Sequence, residues 1–140
     1  MQRLIYWLAP LYTAAIVIAS LIKNPAPPIN VQNVDKIYHA VAYLIMALVW
    51  YFYFYTRYLS KQSLTSFGVS SILKNWSRTI AMGAAVFSLL VGVLVEFGQE
   101  YIAVNRTMDF MDVLANIAGI ILAMFILLSI DKIFNKQKTA

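Results

Sequence analysis

The chain has 140 residues, of which 61% are hydrophobic and 12% charged, and its mean hydropathy is +0.71. Soluble domains have about 25% charged residues, so this composition indicates an integral membrane protein. The absence of cysteine excludes disulfides and thiolate metal sites. The formal net charge of +5 comes from basic residues that lie beside apolar runs. This distribution predicts membrane topology and argues against a nucleic-acid partner.

Four apolar stretches are each long enough to cross a hydrocarbon core, which takes about 20 helical residues. They run approximately over residues 4–22, 36–55, 79–102 and 109–130. We therefore expect a single all-α domain, residues 1–140, that forms a bundle of four transmembrane helices. The first stretch is also similar to a secretory signal peptide, because Arg3 precedes it and Ala-Ser occurs near its end. Its length, Trp7 and Pro10 favour a membrane span.

The distribution of basic residues predicts that both termini are cytoplasmic. This orientation puts eight of the eleven basic residues on the cytoplasmic side, namely Arg3, Arg57, Lys61, Lys74, Arg78, Lys132, Lys136 and Lys138. Those that remain outside are Lys23, Lys36 and Arg106. Trp7, Trp50 and Trp76 fall near the cytoplasmic interface in this topology, as aromatic belts do.

Polar residues accumulate where three predicted spans end on the outer side. They are Asp35, His39 and Tyr43 in the second span, Asp109, Asp112 and Asn116 in the fourth, and Glu96, Gln99 and Glu100 at the end of the third. The spacings within the second and fourth spans put each set on one helix face. A charged side chain at the centre of a membrane helix costs about 2.5 to 3.5 kcal/mol, so the cluster indicates a functional site.

Small residues predict which helix faces meet. They recur every three or four positions at Ala81, Ala85, Ser88 and Gly92 in the third span, and at Ala115, Gly119 and Ala123 in the fourth. Such faces let membrane helices approach closely, so we expect the third and fourth spans to pack together. Glu96 would then be a buried carboxylate about 9 Å below the outer end of its helix.

Individual members of the cluster also have purely structural explanations. Asp109 could be an N-terminal carboxylate favoured by the helix dipole, and Arg106 could simply neutralise nearby carboxylates. Asn116 could hydrogen-bond between helices, and His39 could be a structural donor. Glu96 is the hardest to explain in this way, because the sixteen residues before it (80–95) contain no ionisable side chain.

Three strings, DKIYHAVAY, EFGQ and RTMDFMDVLANIAG, resemble the pattern of the VanZ-like family of small bacterial membrane proteins. The residues that carry the resemblance are Asp35, Lys36, His39, Tyr43, Glu96, Gln99, Arg106, Asp112, Asn116 and Gly119. The chain departs from the family at Ala123, where glycine is frequent, and lacks a frequent proline before Arg106. The resemblance implies a multi-pass protein of the bacterial cytoplasmic membrane with a role in the cell envelope, since the family's founding association is with teicoplanin resistance.

The favoured hypothesis is a binding module for the polar or cationic head group of a membrane lipid or another amphiphilic envelope ligand. The predicted ligand-binding residues are Glu96, Gln99, Asp112 and Asn116 on the floor of an outward-facing pocket and Arg106, Asp109, Asp35, Lys36 and His39 on its rim. The sequence predicts no cofactor and assigns neither a metal site nor catalytic residues.

Three other function classes stay open. A membrane enzyme acting on a lipid-linked glycan or phospholipid head group is less favoured, because catalytic strings such as HExxH are absent, although carboxylates with histidine and asparagine can bind a divalent cation. A proton-linked transporter would need ionisable residues in the cytoplasmic halves of the spans as well. A scaffold could use the small-residue faces to form a homo-oligomer or to hold an envelope-synthesis partner.

Overall fold

The structure is a computed structural model that describes residues 2–21, 34–62, 72–73, 76–102 and 109–136. Within these residues it contains four long helices and no strand. The helices are α1 (Gln2–Leu21), α2 (Val34–Lys61), α3 (Arg78–Ile102) and α4 (Phe110–Lys136). The all-α prediction is therefore confirmed over the described part of the chain.

Three of the four helices are long and apolar enough to cross a membrane. These segments are Val34–Lys61, Arg78–Tyr101 and Phe110–Phe134. The described apolar part of α1 is shorter, Tyr6–Leu21. Large apolar side chains are also exposed on all four helices, for example Leu11, Val41, Leu94 and Phe125. Outward-facing apolar surface of this extent fits a protein whose solvent is lipid.

Helix α2 is the centre of the bundle. It packs most extensively against α4 and also contacts α1 and α3. Hydrogen bonds fix α1 on this central helix, because the Tyr12 hydroxyl donates to the Ala42 carbonyl at 3.0 Å and Trp50 Nε1 donates to Thr13 Oγ1 at 2.9 Å. Trp50 is thus buried inside the bundle, whereas Trp7 is exposed.

Gly119 of the small-residue face of α4 meets α2, whereas the sequence predicts that this face packs on α3. A Cβ atom at Gly119 would overlap the Ala40 carbonyl oxygen and would lie 2.8 Å from its carbonyl carbon and 3.0 Å from Leu44 N. Helices α3 and α4 do touch, as predicted, but each packs more extensively against α2. The glycine allows the backbones of α2 and α4 to approach, and this approach brings the polar residues of the two helices together.

Candidate functional site

The ammonium group of Lys36 joins the beginning of α2 to the beginning of α4. Its Nζ atom lies 2.8 Å from Asp35 Oδ2, 2.6 Å from Asp109 Oδ2 and 2.7 Å from Asp112 Oδ1. All three distances are those of short charge-assisted hydrogen bonds. A single lysine of α2 is therefore the shared partner of three aspartates, two of which are more than seventy positions away in the sequence.

Asp109 has two structural roles at once. Its Oδ1 atom accepts a hydrogen bond from the backbone N–H of Met111 at 2.8 Å, so Asp109 caps the N-terminus of α4. Its Oδ2 atom binds Lys36. The hydrogen bond from Lys36 and that from the Met111 N–H hold the pKa of Asp109 below its usual value. The carboxylate thus anchors the start of α4 and connects it to α2.

His39 lies between carboxylates of two other helices. Its Nδ1 atom is 3.7 Å from Glu96 Oε1 of α3, and its Nε2 atom is 3.5 Å from Asp112 Oδ2 of α4. Nδ1 makes a shorter contact, 3.1 Å, with Oδ1 of Asn116. Side chains from α2, α3 and α4 therefore meet at one imidazole ring.

The cluster passes from exposed to fully buried side chains. The side chains of Asp35 and Asp109 are 60% and 45% exposed, that of Asp112 is 12% exposed, and that of Glu96 is completely buried. Asn116 is buried as well. This gradient gives the cluster an accessible end and a buried end.

One predicted residue, Gln99, makes a contact with a different helix, and another, Arg106, lies outside the described residues. Gln99 is buried, but its Nε2 atom donates to the Ser20 carbonyl of α1 at 3.2 Å. Tyr43 is buried next to the cluster and was not among the predicted ligand-binding residues, although its spacing from His39 already put it on the same face of α2.

The arrangement can bind positive charge. The carboxylates of Asp35, Asp109, Asp112 and Glu96 stand against the one ammonium group of Lys36, so this group of side chains has a formal charge of −3 when all four carboxylates are ionised and His39 is neutral. Two sets of side chains have ligand atoms within 4.8 Å of one another, as a metal ion would require. The sets are His39, Glu96 and Asp112, and Asp35, Asp109 and Asp112. A cation or a head group that carries hydrogen-bond donors suits such a site.

Over the described residues, the chain is a helical membrane protein with an acidic polar cluster at one end of its bundle. The family profile VanZ/LLP1 matches residues 2–134, nearly the whole chain. The chain belongs to the VanZ/LLP1 family, and the resemblance of its motifs to that family is confirmed. No curated protein and no solved structure matches it.

Proposed function

We propose that this VanZ/LLP1 family protein binds the polar head group of an amphiphilic cell-envelope ligand and thereby supports envelope integrity or resistance to teicoplanin-type glycopeptides. One observation carries the proposal. The carboxylate of Glu96 is completely buried at the inner end of a cluster in which acidic groups outnumber the single lysine. Burying charge in a membrane protein is costly, and such residues generally serve function.

Apolar surface next to the cluster suits the ligand's hydrocarbon part. Ile37 of α2, Phe97 of α3 and Met111 of α4 are each adjacent in sequence to a cluster residue, and all three are exposed. An amphiphile could place its head group against the carboxylates and its chains along these side chains. The ligand would enter sideways from the lipid, so no water-filled path across the bundle is needed.

The proposal includes a topology. Helix α1 is the fourth span, both termini are in the cytoplasm, and the cluster faces the outer leaflet of the bacterial cytoplasmic membrane. The positive-inside rule supports this orientation, because eight of the eleven basic residues are then cytoplasmic. It also places the acidic end of the cluster where an envelope ligand would arrive.

Cysteine labelling tests the topology directly, since the chain contains no cysteine of its own. Tyr101 lies at the end of α3 and Gln62 just beyond α2, and both are exposed. A membrane-impermeant maleimide should label a Tyr101→Cys variant in intact cells and a Gln62→Cys variant only after permeabilisation. The cysteine-free parent is the control, and the reverse pattern would contradict the orientation.

Charge-removing variants test the binding site. Glu96→Gln and Asp112→Asn keep the side-chain shape but remove one negative charge each. Losing a charged hydrogen-bond partner costs about 1.5 to 3 kcal/mol, so we expect ligand binding to fall about tenfold or more. The measurements are native mass spectrometry of amphiphiles that copurify with the protein, and the teicoplanin sensitivity of a host expressing each variant.

Glu100→Gln is the matched control for these variants. Glu100 lies one turn beyond Glu96 on α3, but its side chain is exposed. This variant should retain wild-type copurification and wild-type sensitivity. If Glu96→Gln and Asp112→Asn behave like Glu100→Gln at equal membrane levels, the proposed function is wrong.

A further inference from the structure

One of the two sets of metal-ligand side chains already holds a cation. The ammonium group of Lys36 lies within 2.8 Å of carboxylate oxygens from Asp35, Asp109 and Asp112. It therefore occupies the centre of the more exposed set. The other set contains His39, Glu96 and the second carboxylate oxygen of Asp112. Among the described residues, Lys36 bonds to Oδ1 of Asp112 and not to Oδ2. A cation bound at the second set would therefore have to come from solution.

His39 directs a lone pair toward this second set. In the tautomer that carries its hydrogen on Nδ1, His39 donates to Asn116 Oδ1, which can only accept a hydrogen bond, in their 3.1 Å contact. A neutral imidazole then has its lone pair on Nε2, which faces Asp112 Oδ2 at 3.5 Å. Two lone-pair atoms that face each other in a buried site are stabilised by a cation between them.

The separation of these two atoms fits a metal ion better than a proton. A charge-assisted N–H···O hydrogen bond would bring them to about 2.7 to 2.9 Å. Two ligand atoms that each lie about 2.1 Å from a tetrahedral zinc ion are about 3.4 Å apart. The observed 3.5 Å is close to the second value. One ligand atom each of His39, Glu96 and Asp112 lies within 4.8 Å of the other two, so the three side chains can contact one ion.

A second feature of the site also points to a ligand. Asn116 and Tyr43 are each 1% exposed, and neither the Asn116 Nδ2 group nor the Tyr43 hydroxyl has a hydrogen-bond partner among the described residues. They share one layer of the bundle, because a Cβ atom at Gly92 would lie 3.2 Å from Asn116 Nδ2 and 3.0 Å from Tyr43 Cε1. A buried polar group without a partner costs about 1 to 3 kcal/mol. Because Asn116 also contacts His39 at 3.1 Å, these two groups share a layer with one of the three metal-ligand side chains and suit an oxygen-bearing ligand.

We infer that His39, Glu96 and Asp112 form a binding site for a divalent cation of the zinc type. One imidazole and two carboxylates are a ligand set for zinc, whereas magnesium and calcium prefer oxygen ligands alone. Three protein ligands leave the fourth position of the metal open to water or to an oxygen atom of a bound molecule. The Asn116 amide and the Tyr43 hydroxyl are the hydrogen-bond donors available to that oxygen.

A zinc titration of the full-length protein tests the inference. Protein purified in detergent through a histidine-free tag, and then treated with chelator, should bind one equivalent of Zn²⁺ by isothermal titration calorimetry and should bind Mg²⁺ far more weakly. His39→Gln, Glu96→Gln and Asp112→Asn should each weaken zinc binding at least about tenfold, since even outer-sphere changes cost 10- to 100-fold. Glu100→Gln should bind zinc as the wild type does.

Cobalt binding gives a spectroscopic readout on the wild-type protein, so this measurement does not depend on whether a variant folds. Co²⁺ bound by the wild-type protein should show the visible absorption of tetrahedral coordination, and Zn²⁺ should abolish it. The chain has one histidine and no cysteine, so His39 alone can supply an imidazole or thiolate ligand. The inference is overturned if the wild type binds no Zn²⁺ or if His39→Gln keeps its affinity. It is also overturned if Asp35→Asn loses zinc binding while Glu96→Gln retains it, because the cation would then be at the exposed set.

The zinc site goes beyond the proposed head-group binding and does not rest on it. The titration contains no amphiphile, and lipid copurification is measured on protein prepared with chelator. If the wild type binds zinc but Glu96→Gln leaves lipid copurification unchanged, the proposed function is refuted and the zinc site is not. Specific lipid copurification without zinc binding would refute the zinc site alone.

Discussion

A methyl group at Gly119 should destabilise the bundle by about 1 to 3 kcal/mol, the usual cost of overpacking a close contact. A Cβ atom there would overlap the Ala40 carbonyl oxygen and lie 3.0 Å from Leu44 N. Both neighbours are backbone atoms of α2, which cannot rotate away as a side chain would. A Gly119→Ala variant must therefore move α4 away from α2.

Gly83→Ala is the matched control for this substitution. A Cβ atom at Gly83 would meet nothing within 4 Å, and Gly83 also lies inside a helix. Alanine favours helix over glycine by up to about 1 kcal/mol, so this variant should be as stable as the wild type or slightly more stable. Thermal unfolding in detergent micelles, followed by the helical circular dichroism signal, measures both effects. Equal melting temperatures for the two variants would show that α2 and α4 do not make this contact.

The same displacement should damage the polar site. Ala40 follows His39 on α2, and Asn116 precedes Gly119 by one turn on α4. Separating the two helices would therefore lengthen the 3.1 Å contact between His39 and Asn116. Gly119→Ala should reduce both zinc binding and lipid copurification, although it changes no polar side chain. The glycine is thus a structural requirement of the cluster as well as of the packing.

The sequence predicts the helices and most of the cluster because both depend on short-range periodicity. Three apolar runs of membrane-spanning length lie close to their observed helices. Intervals of three and four residues place Asp35 and His39 on one face of their helix, and Asp112 and Asn116 on one face of theirs. This prediction needs no knowledge of the tertiary structure. Three of these predicted polar side chains, those of Asp112, His39 and Asn116, do contact residues of another helix.

The choice of neighbour could not be predicted in the same way. A small residue shows that another backbone can come close, but it does not show which one, and Gly119 meets α2 where the sequence suggests α3. Gln99 illustrates the same limit. Three residues advance a helix by about 300°, so Gln99 is rotated by about 60° from Glu96, and this rotation turns its amide toward Ser20 of α1.

Asp109 shows that two explanations of one residue need not compete. The sequence offers either a helix-terminal carboxylate or a member of the polar site. In the structure one oxygen caps α4 through Met111 N and the other binds Lys36. Helix capping is a local property that sequence can predict, whereas the ion pair depends on the packing of α2 against α4.

Replacing Lys36 by methionine should destabilise the protein by about 1 to 3 kcal/mol near neutral pH. Methionine keeps a similar length and removes the charge. The main loss is at Asp112, whose largely buried carboxylate loses a 2.7 Å charged partner. Asp35 and Asp109 are exposed enough that water replaces much of what Lys36 provides. The measurement is the same thermal unfolding experiment, with Lys61→Met at the exposed far end of α2 as the control.

Acidification should reduce the difference between the wild type and Lys36→Met. Lys36 and the Met111 N–H lower the pKa of folded Asp109. A carboxylate with a lowered folded pKa adds stability above its unfolded pKa, about 3.9 for aspartate, and loses that contribution as the pH falls through the folded value. The wild type has the part due to Lys36 to lose, whereas Lys36→Met keeps only the part due to the Met111 N–H. If Lys36→Met and Lys61→Met melt together from about pH 7 to about pH 4, the shared lysine does not hold α2 to α4.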